Sequence, residues 1–234
     1  MQKLKKIDLI VISLFLLIEI ALYLSFLILD ANPGNFDTTW FKYSGVILCL
    51  LFSIYCSLKK KEKIHIFIPV ALVFTLISDY FLLINTNMDL FIPGLVTFII
   101  TQLIYFLLIS YKRKKKNEFI INIVLRVFVS SILILISSIL VQIDWLVALA
   151  LIYFTQLLIN FGYSICLVKE EKKYLIFALG LLIFIACDIN VGLNNVHIID
   201  GIDYKIVNYL MWLFYLPSQV LLASSNLVFN SKNI

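Results

Sequence analysis

Charge is what this sequence has least of. Only 14% of its 234 residues are charged, 62% are hydrophobic, and the mean hydropathy is +1.04. A soluble domain of this length cannot hide so much apolar surface, so a polytopic membrane protein is expected. Cysteine is also scarce: Cys49, Cys56, Cys166 and Cys187 fall in apolar stretches without CxxC spacing. That argues against a disulfide frame or a zinc site and predicts free thiols. No GxSxG or GxSG run occurs, so a serine nucleophile has no support. No small-residue cleavage pattern follows the first apolar run, so it reads as a span and not as a signal peptide. No nucleotide loop, haem ligand pair or metal-ligand cluster is present, and no cofactor is expected.

What the chain does have is a series of long apolar runs. Eight can be drawn, near 7–29, 40–58, 64–85, 91–111, 119–141, 145–168, 174–193 and 206–227, each close to the roughly 20 residues a bilayer requires. Asn32-Pro33-Gly34 and Pro93-Gly94 punctuate them. The fold class is therefore all-α, one transmembrane helical domain over 1–234. Lysine and arginine then orient it. Sixteen, from Lys3 through the Lys59–Lys63, Lys112–Lys116 and Lys169–Lys173 clusters to Lys232, share one side, against Lys42 and Lys205 on the other. The positive-inside rule puts both termini in the cytoplasm of a multi-pass cell-membrane protein. The net charge of +5 thus reads as topology and not as a nucleic-acid face. Arg126 lies inside the fifth span, within snorkelling reach of the basic side. The two histidines, His65 and His197, fall on opposite sides, which excludes a multi-histidine zinc hydrolase.

Two acids stand inside spans at matching places. Asp79 and Asp188 are each followed six residues later by an asparagine, Asn85 and Asn194. An ionisable group at mid-membrane costs about 2.5–3.5 kcal/mol on insertion scales and usually marks a site. Asp79 lies roughly 9 Å below the outer end of its span at 1.5 Å per residue, with Asp188 at a similar depth. Asp79 through Gln102 echoes Asp188 through Gln219, which suggests a four-plus-four helix repeat. Two carboxyls at one level in a low dielectric resist ionising together, so one protonated and one ionised group is expected. The plainer reading is that each aspartate merely bonds a neighbouring helix.

Other spans carry polar stripes at helical spacing: Tyr153, Gln156 and Asn160; Asn208, Trp212, Tyr215 and Gln219; and Gln102 with Tyr105. Lipid offers such groups no partners, so they face protein or a cavity. Pro217 should kink the last span and free backbone groups there. Glu19, in the first span, either pairs with Arg126 or lines the cavity. Lys42, at the outer mouth of the second span, either meets a phosphate or snorkels. Intramembrane aspartyl proteases also use two aspartates on separate helices but typically show GxGD. The contexts Ile77-Ser78-Asp79-Tyr80 and Ala186-Cys187-Asp188-Ile189 do not fit.

At these residues the chain resembles the YhhN family of lysoplasmalogenase-like membrane proteins. The resemblance lies in Phe74 through Leu83 around Ser78-Asp79, in Gly94-Leu95-Val96-Thr97-Phe98, and in Gln102 with Tyr105. It continues in Gly180 through Asp188 and in Tyr215-Leu216-Pro217-Ser218-Gln219. A family Lys-Pro is matched only by Lys42, since Tyr43 replaces the proline. Gln102 stands where the family usually has histidine, and Ser78 replaces a glycine. Glutamine cannot shuttle a proton, so the resemblance implies the fold more firmly than the activity.

That activity is cleavage of the vinyl-ether bond of a lysoplasmalogen, or a related lysolipid or ether lipid, to a fatty aldehyde and a glycerophospho-base. Asp79 and Asp188 would be catalytic. Lys42, Gln102, Tyr105, Tyr153, Asn194, Tyr215 and Gln219 would surround substrate and water. The rival expectation is a small-solute or lipid transporter, or a family member that only binds lipid, because mid-membrane polar groups suit transport equally.

Overall fold

A computed structural model describes residues 6–31, 37–84, 90–113, 116–140, 144–196 and 204–229. Outside them lie Asn85, the Asn32-Pro33-Gly34 breaker, His197, Lys3, Lys5, Lys114, Lys115 and Lys232. The regular elements among the described residues are helical: α1 (Lys6–Ala31), α2 (Thr39–Lys60), α3 (Phe67–Asp79), α4 (Phe91–Arg113), α5 (Lys116–Leu140), α6 (Trp145–Glu170), α7 (Leu175–Val196) and α8 (Tyr204–Ser225). A 3-10 turn over Lys63–Ile66 and a π-helical turn over Tyr80–Ile84 extend α3 to membrane length, and eight helices are long and apolar enough to span. The hydropathy runs predict all eight spans to within two residues at either end. The ends follow local chemistry. Asp144 accepts the Val147 N–H at 2.8 Å and caps α6. Lys61 takes a left-handed conformation, φ 53°, and its N–H closes α2 on the Ser57 carbonyl. Beyond α6, Lys173 beside the Glu171 carboxylate holds that acid below its usual range.

The most extensive helix contacts join α7 to α8 and α3 to α4, the pairs that begin with an aspartate-bearing helix. Gly180 permits the first, because a Cβ there would lie 2.9 Å from Leu222. Next comes α4 against α6, while α1 and α5 are peripheral and turn apolar faces outward. The interior is correspondingly polar for a membrane protein, with Asp79, Gln102, Asn160, Arg126 and Gln219 buried.

At the end of the bundle that carries the basic clusters, a hydrogen-bonded clamp joins three elements. The Asn226 side-chain N–H donates to Ser53, Ser57 and the His65 carbonyl at 3.0–3.2 Å, and its oxygen meets His65 Nδ1 at 2.8 Å. Lys60 bonds the Leu227 carbonyl beside it. Pro217 does not break α8, which runs on to Ser225. The expected unbonded carbonyl is that of Leu213, four residues back, and Tyr23 from α1 donates to it at 2.9 Å.

Candidate functional site: two carboxyl–tyrosine pairs

Asp79 is the last α-helical residue of α3, where the winding widens into the π turn. Such turns recur at functional positions. Its neighbour Ser78 donates to the Gly94 carbonyl at 2.6 Å, and a Cβ on Gly94 would stand 2.6 Å from Leu82, so α3 and α4 are locked together there. Tyr43 of α2 donates to the Leu76 carbonyl one turn earlier, at 3.3 Å. The carboxyl so placed is 5% exposed, and the Tyr215 hydroxyl of α8 sits 2.6 Å from both its oxygens.

Asp188, on α7 one turn beyond Phe184, is partly buried. The Tyr153 hydroxyl of α6 donates to its Oδ2 at 2.6 Å. The two aspartates stand five and six residues from the ends of their spans, Ile84 and Asn194. Aromatic rings connect the pairs. Tyr153 packs on Phe98 at 5.4 Å, Phe98 on Phe184 at 6.0 Å, and Phe184 on Tyr215 at 5.9 Å between centroids. Tyr153 and Cys187 both lie within electrostatic range of both carboxyls. Four helices thus supply one constellation: α3 and α7 the acids, α8 and α6 the hydroxyls.

Lys42 reaches this constellation indirectly. It is 7% exposed, paired with Asp30 at 2.8 Å and seated over the Trp212 ring at 4.4 Å, and Trp212 packs edge-on against Tyr215 at 5.6 Å. Asp30 is held in turn by Thr38 at 2.6 Å. The lysine does not snorkel: it is turned inward and paired with an aspartate.

Gln102 lies on α4 one turn beyond Phe98, toward the middle of the bundle, and is fully buried. Asn160 donates to both its backbone and side-chain oxygens, at 2.8 and 3.0 Å. Tyr105 and Gln219 are fully buried with the Tyr105 hydroxyl and Gln219 Oε1 unpartnered. They stand outside the hydrogen bonds that form the two pairs. Asn194 is half-buried near the end of α7 and also stands apart from those bonds.

Three expectations change. Arg126 does not snorkel: it is 4% exposed and held inward by Asn122, Gln156 and Asn160. Glu19 does not pair with it. Its hydrogen bond comes from Cys49 at 3.3 Å, and Oε2 has no partner. Asn208 is exposed, in the second turn of α8. Sequence reasoning missed Asp30, Phe98 and Phe184 as neighbours of the site. Asp30 carries a usable signal, an acid closing an apolar run near a lysine. Phe98 and Phe184 lie inside the stretches that carry the family resemblance, but among 19 phenylalanines nothing marks them out as packed between the two pairs.

The described side chains include no group of three metal-binding residues. No curated protein and no solved structure matches the chain. A family model described as the YhhN family matches residues 38–226, which takes in both aspartates, both tyrosines, Lys42 and Arg126 but not α1. On that match, covering most of its length, the chain belongs to the YhhN family.

Proposed function

We propose that this protein is a membrane-embedded hydrolase that cleaves the vinyl-ether bond of lysoplasmalogens or closely related lysolipids, with Asp79 and Asp188 as its acid–base pair. The observation that carries the reading is the double carboxyl–tyrosine arrangement, its acids five and six residues from the ends of their spans and its tyrosines linked by Phe98 and Phe184. The chemistry needs two carboxyls in different states. An undissociated one gives its proton to the vinyl carbon remote from oxygen, and a C–H bond forms as the double bond becomes an oxocarbenium ion. Water adds to the carbon bearing oxygen and loses a proton to the carboxylate. The resulting hemiacetal collapses: its C–O bond to glycerol breaks as the glycerol oxygen takes back the proton that water gave to the second carboxyl, the hemiacetal hydroxyl returns its proton to the first, and the aldehyde leaves. Glycosidases divide labour between two carboxyls in a similar way.

The geometry supports an assignment. A single hydroxyl facing both oxygens of Asp79 suits a carboxylate, which would stabilise the cation and then accept the proton from water. Asp188 is bonded through Oδ2 alone, which leaves Oδ1 to carry the transferable proton. Lys42 would exchange Asp30 for the substrate phosphate, with the alkenyl chain between helices. With its basic clusters facing the cytoplasm, the site would lie in the outer leaflet of the cell membrane.

The test is aldehyde release by purified protein in detergent micelles, across a panel of lysolipids. Hydrolysis needs no compartments, whereas transport does. Release from alkenyl but not alkyl lysolipids is expected, with one deuterium at the carbon next to the aldehyde in heavy water. Absence of aldehyde from every alkenyl lysolipid would overturn the reading in favour of a carrier or lipid-binding protein.

A further inference from the structure

Arg126 is a buried cation held by uncharged amides. Its Nε donates to Asn122 Oδ1 at 2.6 Å, Nη1 to Gln156 Oε1 at 2.8 Å, and Nη2 to Asn160 Oδ1 at 2.7 Å, with the guanidinium 4.5 Å from the Phe106 ring centre. A charge held this way inside a span calls for a functional account. The chemistry of the group supplies one, because a guanidinium only donates.

Asn160 must therefore turn its oxygen to Arg126 and its NH2 to Gln102, where it meets the carbonyl and Oε1 at 2.8 and 3.0 Å. Gln102 is then left with its own NH2 as the free end, and Nε2 is fully buried without a partner. Neither amide can flip. Reversing Asn160 sets donor against donor at the guanidinium, and reversing Gln102 sets NH2 against NH2. A donor-only residue on a peripheral helix thus dictates the polarity of an amide two residues along the network.

We infer that Arg126 and Asn160 are positioning residues that fix Gln102 as a hydrogen-bond donor, and that the site takes a ligand whose ether oxygen accepts that N–H. Gln102 lies one turn from Phe98, the ring between Tyr153 and Phe184, so a ligand that took its N–H would lie near the carboxyl–tyrosine pairs. The identity of the acceptor rests on the proposed ether-lipid reading. The donor polarity does not.

Binding distinguishes the two. The probes are an alkyl-ether lysophospholipid, which is not hydrolysed, and its isostere with CH2 in place of the ether oxygen. Native protein should bind the ether about tenfold more tightly, as one buried donor left unmatched by CH2 implies. Gln102→Met removes the donor and should erase the preference. Asn160→Asp offers Arg126 a carboxylate, sets that acceptor against the Gln102 backbone carbonyl, and draws the Gln102 NH2 toward itself and away from the site. It too should erase the preference. Equal binding of the two probes by native protein would overturn the inference, as would a preference surviving in well-folded Asn160→Asp. Absence of aldehyde release alongside the predicted binding ratios would count against the hydrolase and leave the donor assignment standing.

Discussion

Asp79 and Asp188 each accept a tyrosine hydroxyl at 2.6 Å, yet the two pairs are built differently. Counting back four residues from Gln219 reaches Tyr215, which serves Asp79; counting back four from Gln102 reaches Phe98, which has no hydroxyl. The hydroxyl for Asp188 comes instead from Tyr153 on α6, whose ring packs on Phe98. Tyr215 faces both oxygens of its carboxyl, whereas Tyr153 engages only one oxygen of the other. Two acids of matching position are thus given unequal surroundings, which is what separates an acid from a base on one site.

The largest effect should come from the acids themselves. Asp79→Asn and Asp188→Asn are each expected to lower aldehyde release roughly 1000-fold while leaving the melting temperature near native, measured on protein purified in detergent. A contrasting loss awaits the clamp at the basic end. Asn226→Leu abandons buried partners at Ser53, Ser57 and His65 and should cost about 3 kcal/mol of stability, with turnover per folded molecule unchanged. Unequal tyrosines give the sharper comparison. Removing the hydroxyl that serves a carboxylate should reduce kcat about 30-fold in Tyr215→Phe, against about 5-fold in Tyr153→Phe. Equal losses would remove the assignment of Asp79 as the anion. The smallest change is expected of Tyr23→Phe, which strips the Leu213 carbonyl of its donor and should lower stability by about 1 kcal/mol, read as a melting shift with native turnover.

Much of the architecture is legible in the residues because a span is a local property. Twenty apolar residues and their flanking lysines declare themselves without reference to the rest of the chain, and so do the buried acids and the stripes that contain Tyr153 and Tyr215. Partnership is not local. That Asp79 meets α8 while Asp188 meets α6 depends on how eight helices are arranged, and hydropathy carries no record of it. The same holds for Arg126: its sequence position suits snorkelling, and only the packing of α5 on α6 turns it to Asn122, Gln156 and Asn160. Lys42 looks exposed from its place at a span end, yet Asp30 and Trp212 enclose it.

The most direct test of a single site shared by both acids is the double substitution, assayed as aldehyde release from an alkenyl lysolipid beside each single one. If Asp79 and Asp188 act as a unit, combining Asp79→Asn with Asp188→Asn loses little more than either alone. Losses that multiply, or native turnover in either single variant, would mean the two carboxyls do not work together.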